Sequence, residues 1–537
     1  MEFEPSLAAT GWTLMPIILT VACVFFTKRI LLSMFVGILA SSLMVVDFSL
    51  FNMVILIERT LTGVLFTDGS TALFSIFSRW YVGILIFLFG LGIVTSFVVV
   101  TGGASAFVQS IAKRVKTRRG VQFVTLGIGI VLMIDDYFNA MVNGNIAKTI
   151  SKQHNLSRAR STYIVDSIAA PICIAAPVSS WAMAIMGNMT SVYGSIGVER
   201  NVFMDFLRMI PFHFYVFAAI ALVAITAYFD FNMFSMKKYE KHMATGEDIS
   251  ADMTGAGLIG ETQSKRGTIW DFWLPIIVLA GVTVGTMFVT GLQASTPELI
   301  AREGFIYAIL DSLSLSMSLY LGGIAGAASA MYMGARHVKA GEITKKQFWN
   351  TFFAGILSMT TGAGILILSW IISDLIGRLE VGEFAAGILY NAGIYVGFIP
   401  FIMFISAALL AFAIGTSWGT FAIVLPIAGT VVVATDSMHL LLPAMSAVLS
   451  GAVFGDHSSP ISDTTVLSSA GASCKVLSHF ESQLPYAILA AILASVGYLF
   501  FGLTGSLIFG YIAFAAVVII VGFLVYTKQR QTTPAVK

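Results

Sequence analysis

The sequence predicts an all-α polytopic membrane protein that is built as an inverted repeat and contains broken or re-entrant helices. Three observations lead to this fold class: the composition, the length of the apolar segments, and a similarity between the two halves of the chain. Of the 537 residues, 57% are hydrophobic and only 11% are charged, whereas about 25% of the residues of a soluble domain are charged. A soluble enzyme is therefore excluded. The net charge of +2 gives no support to nucleic-acid binding.

The apolar residues occur in segments about as long as a helix that crosses a bilayer, roughly 20 residues. The first segment follows Glu2 and Glu4 rather than a basic stretch, so we expect it to be retained as a span and not cleaved as a signal peptide. Helices are predicted over residues 11–27, 30–48, 72–101, 120–141, 161–187, 202–230, 268–291, 303–334, 348–377, 382–411, 412–433, 440–454, 483–502 and 505–527.

Lysine and arginine residues indicate the orientation of these spans. Lys28 and Arg29 directly follow the first span, and cytoplasmic loops of membrane proteins are rich in Lys and Arg. The N-terminus is therefore predicted to lie outside and the C-terminus in the cytoplasm, in a multi-pass protein of the inner (plasma) membrane. The other clusters predicted to be cytoplasmic are Lys113–Arg119, Lys148–Arg160, Lys237–Arg266, Arg336–Lys346 and the C-terminal tail.

The apolar segment Val121–Met141 has a cationic cluster at each end, Lys113–Arg119 and Lys148–Arg160. A straight helix would place one of these clusters outside the cytoplasm. A re-entrant or broken helix avoids this, because irregular backbone is tolerated at membrane depth where protein or water satisfies its polar groups. The alternative is that the charge rule, which is a bias, fails at this segment.

The two halves of the chain resemble each other in order and spacing. The segments that begin at Ile84, Ile134 and Val165 resemble those that begin roughly 280 to 290 residues later. When the membrane crossings are counted from the positions of the cationic clusters, the two halves have opposite orientations. This arrangement is typical of secondary transporters with a binding site near mid-membrane. Chance similarity between sequences rich in Leu, Ile and Gly is the alternative. The predicted divisions are residues 1–235 and 268–527 for the two repeat halves, 236–267 for a cytoplasmic linker and 528–537 for a cytoplasmic tail.

Five acidic residues lie in the polar stretches that the repeat pairs between the halves. A charged carboxylate costs at least a few kcal/mol at the centre of a bilayer, so acids in apolar segments are candidates for function. Burial also favours the neutral carboxyl group, which allows one site to exchange a proton for a cation. The five are Asp135, Asp136, Asp166, Asp456 and Asp463; Asp311 is a further acid in an apolar segment.

Oxygen-bearing side chains surround these acids and suit a hard cation such as sodium. Asp456, Asp463 and Asp166 are the candidate metal ligands, and Gly and Pro are expected to break the helices and release backbone carbonyls. Further ion- or proton-binding candidates are Asp136, Asn139, Ser417, Ser459 and Thr464, with Asn143 and Ser167 nearby. Candidates along the substrate path are Ser179, Ser180, Thr416, Ser462 and Thr465, and the predicted helix breaks are at Gly455, Pro460, Pro171 and Pro177.

Each candidate also has a structural interpretation. Asp456 and Asp463 could cap broken helices, and Asp136 or Asp166 could pair with Arg158 or Arg160. His457 could be a proton relay or a structural histidine. Lys475, His479 and Glu481 are predicted to belong to a solvated helix end.

The segment GDHSSPISDTT at Gly455–Thr465 closely resembles the signature of the NhaC family of sodium/proton antiporters. The segments Ser157–Trp181 and GTSWGTFAIVLPIA from Gly415 are also similar to that family. The resemblance implies a membrane antiporter with two inverted repeats, which moves as an elevator and forms a homodimer. It carries over Asp456, Ser459, Pro460, Asp463, Thr464 and Thr465. Relatives resembling this family also exchange malate, lactate or amino acids.

The sequence thus favours sodium/proton antiport by alternating access, with sodium and protons as transported ligands and no cofactor. The alternative is a sodium- or proton-coupled carrier of a small organic acid or amino acid. An intramembrane aspartyl hydrolase is disfavoured because it does not require acids in duplicated helix breaks. A channel is disfavoured because nothing resembles a repeated selectivity filter.

Overall fold

The computed structural model describes residues 5–65, 80–112, 115–252 and 264–532. Every regular element in this described part is a helix, apart from one isolated antiparallel bridge between Ala251 and Cys474. The predicted all-α class is confirmed. Predictions that fall on residues 72–79, 113–114, 253–263 and 533–537 lie outside the described residues.

The helices before the linker begin and end as follows: α1 Met15–Thr27, α2 Ile30–Val45, α3 Leu50–Leu65, α4 Trp80–Val100, α5 Gly103–Ala112, α6 Arg118–Val131, α7 Asp136–Gln153, α8 Arg158–Ala175, α9 Ser180–Ser195, α10 Val202–Met209, α11 Phe214–Phe229 and α12 Phe234–Ala244. The later helices are α13 Ile269–Ala294, α14 Pro297–Glu303, α15 Phe305–Ser312, α16 Leu315–Lys339, α17 Lys345–Arg378, α18 Val381–Asn391, α19 Ile399–Ile414, α20 Ser417–Ala434, α21 Leu441–His457, α22 Asp463–Ala472, α23 Val476–Thr504 and α24 Leu507–Thr532.

Among the described residues, nine helices are long and apolar enough to cross a membrane, and three bent pairs would raise the number to twelve. The chain is a multi-pass membrane protein. Two of the bends are sharp: α2 and α3 meet at 118° and α15 and α16 at 77°. The single helices predicted over 161–187, 202–230, 303–334 and 382–411 are each two helices. Polar or proline residues such as Ser314 and Pro400 lie at the start of the second helix.

The described chain forms two compact units, and each combines stretches that are distant in sequence. The first unit comprises Met1–Ser110, Ser180–Arg208 and Ile259–Val381. The second unit comprises Ile111–Ser179, Met209–Leu258 and Gly382–Lys537. Each predicted repeat half therefore contributes to both units, and the division into halves stays a prediction about the repeat.

The same order of helices and breaks occurs in both predicted halves. In the first half, a break separates α6 from α7 and another separates α8 from α9; in the second half, breaks separate α19 from α20 and α21 from α22. The residues that precede α7 and α20 also share a conformation: Asp135 has φ −154° and ψ 136°, and Thr416 has φ −153° and ψ 130°. This local correspondence agrees with the predicted repeat.

Two of the four predicted helix breaks are wrong. Helix α8 continues through Pro171, and α21 continues through Gly455 to His457. A Cβ atom on Gly455 would lie 2.3 Å from the carbonyl oxygen of Ala408 in α19. Gly455 is therefore required for the close approach of α19 and α21. The two other prolines, Pro177 and Pro460, do lie in breaks.

Gly455→Ala is expected to destabilise the protein, because the added methyl group would overlap the backbone of α19. Overpacking of this kind typically costs about 1–3 kcal/mol. The measurement is the thermal unfolding midpoint in detergent. Gly285→Ala in α13 is the control, since no atom lies within 4 Å of its added Cβ and Ala favours a helix over Gly. Equal midpoints for the two variants would contradict the close approach.

Candidate functional site

Helices α6 and α7 fold back on each other as a hairpin. Asn139 Nδ2 donates to the carbonyl of Gly129 at 2.7 Å, and Asn143 Nδ2 donates to the carbonyl of Thr125 at 3.1 Å. Asn143 lies four residues after Asn139 in α7, whereas its acceptor Thr125 lies four residues before Gly129 in α6. The two helices are therefore antiparallel, and the break between them is the tip of the hairpin.

At the open end of this hairpin, the start of α6 meets the end of α7. Arg118, at the start of α6, donates to the carbonyl of Asn155, which follows α7. The 14 residues of α6 are about 21 Å long, too short for a hydrocarbon core of about 30 Å. The prediction of a re-entrant or broken helix over Val121–Met141 is thus confirmed.

The break between α21 and α22 contacts the break between α19 and α20. Ser459 Oγ donates to the carbonyl of Phe412 at 2.9 Å, and the amide of Asp463 contacts the carbonyl of Gly415 at 3.4 Å. Gly415 has a φ of +77°, a left-handed conformation that glycine adopts without strain. Two interrupted helices of the second unit therefore meet at their interruptions.

Thr464 contacts both acids of the sequence motif, Asp456 through its hydroxyl group and Asp463 through its backbone amide. Asp456 Oδ2 accepts from Ser417 Oγ at 2.9 Å and from Thr464 Oγ1 at 3.1 Å. The backbone amide of Thr464 also contacts Asp463 Oδ1 at 2.9 Å. Thr464 thus contacts both carboxylates. Asp456 is fully buried, whereas Asp463 is half-buried at the first turn of α22. The structure brings these four predicted site residues together.

Tyr137, at the tip of the α6–α7 hairpin, is a site residue that the sequence reasoning missed. Its hydroxyl donates to Asp463 Oδ2 at 2.5 Å. Tyr137 is separated from Asp463 by 326 positions in the sequence. The one sequence feature that could have indicated it is its position directly after Asp135 and Asp136. The tip of the hairpin therefore reaches the break between α21 and α22.

Two buried oxygen atoms at this site have no hydrogen-bond partner among the described residues. They are Asp456 Oδ1 and Thr465 Oγ1. Nearly all buried polar atoms in proteins are hydrogen-bonded, so an exception calls for an explanation. A carboxylate oxygen is an acceptor, and either a proton or a cation would satisfy it. Asp456 Oδ1 therefore has the chemistry to accept a cation or a proton, and its role in transport stays a prediction.

Asp166, in the middle of α8, contacts three donors from α22 and α23. Its carboxylate accepts from Ser468 Oγ at 2.7 Å, from Gln483 Nε2 at 2.6 Å and from His479 Nε2 at 3.2 Å. The predicted alternative partners, Arg158 and Arg160, are not among these donors. The prediction that His479 lies at a solvated helix end is wrong: the helix α23 begins at Val476 and places His479 in the interior, with an exposed fraction of 0%.

In the described ranges, no three His, Cys, Asp or Glu side chains form a group that could hold a metal ion. Asp166 therefore does not complete a three-carboxylate cluster with Asp456 and Asp463. Its role as a cation ligand stays a prediction. A cation at this site would be held by two carboxylates together with hydroxyl and carbonyl oxygens, a donor set that hard cations accept.

The other predicted polar residues lie near helix ends. Ser179 follows α8, and its Oγ donates to a carbonyl of that helix at 2.8 Å. Ser180 begins α9, which belongs to the other compact unit. Thr416 precedes α20, while Ser462 caps α22 by accepting from the amide of Thr465 at 3.2 Å. Of this group, Ser462 and Thr465 belong to the turn that carries Asp463.

The sequence left open the roles of three acids and one histidine, and the structure places these residues at the start of α7, in α15 and in α21. Asp135 caps α7 by accepting from the amide of Phe138 at 2.8 Å, and Asp136 is buried in the first turn. His457 Nδ1 contacts the Tyr215 hydroxyl at 3.1 Å. Asp311 is exposed in α15. Asp135 therefore caps a helix, and Asp311 does not belong to the site.

If the chain transports sodium, as the sequence predicts, Tyr137→Phe is expected to raise the sodium concentration at half-maximal transport by about 10-fold or more, because a hydrogen bond to a charged group contributes about 1.5–3 kcal/mol. The hydroxyl positions Asp463 without being required for its charge, so the maximal rate should stay within about 2-fold of wild type. Initial rates in proteoliposomes over a sodium series measure both quantities. The control is Tyr511→Phe, whose hydroxyl contacts the carbonyl of Pro211. An unchanged half-saturation for Tyr137→Phe would contradict the positioning role.

A sequence model of the Na+/H+ antiporter family matches residues 172–503, more than half of the chain and including both acids of the motif. The chain belongs to this family. It is a secondary transporter and not an enzyme, as the motif at Gly455–Thr465 predicts. An uncharacterized protein of Haemophilus influenzae is 33% identical over 530 residues, which cover 97% of this chain and 96% of that protein.

Two further similarities cover part of the sequence or the fold alone. The malate-2H+/Na+-lactate antiporter of Bacillus subtilis is 36% identical over 136 residues, which cover 23% of this chain and 28% of that protein. The crystal structure of the YdaH transporter of Alcanivorax borkumensis has a TM-score of 0.55 and 12% identity, and the match covers 85% of this chain and 89% of that one. The fold of this chain is therefore similar to that of the YdaH transporter.

Proposed function

We propose that this family member exchanges sodium ions for protons by alternating access, at a site built on Asp456 and Asp463. The observation that carries the proposal is the buried Asp456 Oδ1, which has no hydrogen-bond partner among the described residues. A sodium ion at this oxygen would satisfy it. Oxygens of Asp463, Thr465 and the released backbone carbonyls near Gly415 would complete the ligand set.

Competition for the same two carboxylates supplies the coupling. Transfer of a carboxylate from water into a protein interior disfavours its charged form, so a site that loses its cation takes up a proton. Ser417 and Thr464 hold Asp456 Oδ2 through their hydroxyl groups. They leave Oδ1 to bind the cation or the proton. The site then carries either sodium or protons, but not both, each time it crosses the membrane. This is the requirement for exchange.

The grouping of the site residues is compatible with an elevator motion. Asp456, Asp463, Ser417, Thr464 and Tyr137 all belong to the second compact unit. A site carried by one unit moves with that unit, without separation of its ligands. We propose that transport uses this motion and that the protein is a homodimer. We also propose that the C-terminus is cytoplasmic and that the two halves have inverted orientations.

The test is the discharge of an imposed pH gradient in proteoliposomes, followed with a fluorescent pH probe. Sodium, lithium or potassium chloride is added in separate runs, with choline chloride as the control for ionic strength and empty liposomes as the control for leakage. We expect sodium to discharge the gradient and choline to have no effect. Absence of discharge with all three metal ions would overturn the proposal of cation/proton exchange.

A second candidate is the cation-coupled exchange of a small organic acid or amino acid. It is favoured by two observations: α7, α20 and α22 all begin at the breaks that form the site, and a partial relative is a malate/lactate antiporter. Helix N-termini attract carboxylate groups. Sodium-dependent uptake of labelled malate, lactate or an amino acid would support this candidate. No uptake across such a panel would exclude it for those substrates.

A further inference from the structure

The linker between the predicted halves contains a short segment that is bonded to the N-terminus of α8. This segment, Asp248–Asp252, is called the strap below. The amide of Arg158 donates to Asp248 Oδ2 at 2.9 Å, and the amide of Ala159 donates to Ser250 Oγ at 3.1 Å. The first amides of a helix have no partner within the helix. The strap supplies acceptors to them from 90 residues further along the chain.

The strap also pairs with Ser473–Lys475, the turn that follows the C-terminal end of α22 and leads into α23. The amide of Lys475 donates to the carbonyl of Ser250 at 2.9 Å, and the amide of Asp252 donates to the carbonyl of Ser473 at 3.0 Å. These two bonds flank the antiparallel bridge between Ala251 and Cys474. The strap therefore connects one end of α8 to one end of α22 through backbone and capping hydrogen bonds.

The two helices joined by the strap are those that hold Asp166. Asp166 lies in α8, and its partner Ser468 lies in α22. Nine residues of helix separate Ser157 from Asp166, a distance of about 13 Å along the axis. Between the strap and Asp166 lies a cluster of buried apolar side chains that includes Tyr163, Tyr486 and Cys474. The strap and this cluster thus close the α8–α22 pair at the end that faces the linker.

We propose that the strap is a latch that must release α22 for the cation site to open toward the linker side. Its bonds to α22 come from a segment outside any helix, so water can replace them without the unfolding of a helix. The backbone hydrogen bonds of α8 and α22 are made within each helix, so water cannot replace them without unfolding a helical turn. Access from the linker side therefore depends on separation of the strap from the end of α22.

The native Cys474 allows the latch to be locked by one substitution, Ala251→Cys. The two flanking hydrogen bonds identify Ala251 and Cys474 as a non-hydrogen-bonded antiparallel pair, for which the Cα atoms lie about 4.5 Å apart. A disulfide requires about 4.4–6.8 Å. We expect oxidation of Ala251→Cys to form this disulfide and to lower transport of sodium, or of any organic cargo found, by at least 10-fold. Reduction should restore the rate.

Two controls separate locking from side effects of the substitution. Ala251→Ser cannot form the bond, and Ala251→Cys combined with Cys474→Ala lacks the partner thiol. Both should transport equally well under oxidising and reducing conditions. The latch is overturned if the fully cross-linked protein transports as fast as the same protein after chemical reduction of the disulfide. It is also overturned if no disulfide forms, since the pairing would then be wrong.

A second measurement needs no transported cargo and so does not depend on the sodium/proton proposal. Cys474 is 2% exposed, so a thiol reagent reaches it when the strap separates. We expect N-ethylmaleimide to modify Cys474 in the folded wild-type protein, as located by peptide mass spectrometry, much faster than the protein unfolds. Modification no faster than unfolding would contradict a latch that opens in the native state.

Discussion

Asp456→Asn is expected to abolish sodium-dependent proton movement while leaving the protein folded. Asparagine has the shape of aspartate and retains an oxygen for Ser417 and Thr464, but it brings no negative charge to a fully buried position. Loss of one member of a buried charged contact costs about 2–5 kcal/mol, which corresponds to a loss of affinity of about 30-fold or more. Sodium-induced discharge of a pH gradient in proteoliposomes measures the effect.

The matched control for this variant is Asp436→Asn. Asp436 is exposed in a loop after α20 and has a φ of 49°, a left-handed conformation that asparagine tolerates. We expect wild-type exchange from this variant. Normal exchange by Asp456→Asn would show that the buried carboxylate does not bind the transported cation, and the proposed site would then be wrong.

Asp166→Asn is expected to cause the largest loss of stability among the acidic substitutions. Three donors meet the carboxylate of Asp166, and asparagine has only one acceptor oxygen. Its amide group would face a second donor at a buried position. Leaving a buried hydrogen-bonding group without its partner typically costs about 1–3 kcal/mol, and more where the partner is charged. The thermal unfolding midpoint of the purified protein in detergent measures this loss.

A compensating change distinguishes the contact from a general effect of the substitution. His479→Gln in the Asp166→Asn background removes the histidine that faces the altered group and should recover part of the lost stability. Asp374→Asn is the control, because its pair with Arg378 is half-exposed and spans one helical turn, where such pairs contribute about 0.3–0.5 kcal/mol. Equal losses for Asp166→Asn and Asp374→Asn would contradict the buried network.

The fold class and the positions of most helix interruptions were predictable because their causes are local. Apolar runs of membrane length specify the spans, and Pro177, Pro460 and the positive charges on both sides of Val121–Met141 indicate where spans are interrupted. The errors at Gly455 and His479 have a different cause. A glycine that breaks a helix and one that permits close packing have the same sequence signal, and the burial of His479 depends on α8, more than 300 residues earlier.

For the site, the motif at Gly455–Thr465 was sufficient to identify Asp456, Asp463 and Thr464, since these residues lie within three helical turns of one another. The contacts of this motif with Ser417 and Tyr137 join residues 39 and 326 positions apart. No pattern of spacing specifies such contacts. They depend on the way in which interrupted helices pack against one another.

Composition, helix length, charge placement and the acidic motif thus identify a polytopic transporter of the Na+/H+ antiporter family from the sequence alone, because each is a property of neighbouring residues in the chain. The tertiary structure was needed to place Tyr137 on Asp463, to pair Asp166 with His479, and to put the strap across α8 and α22. These contacts arise because buried polar groups must find partners, and in this protein the partners come from helices that are distant in sequence.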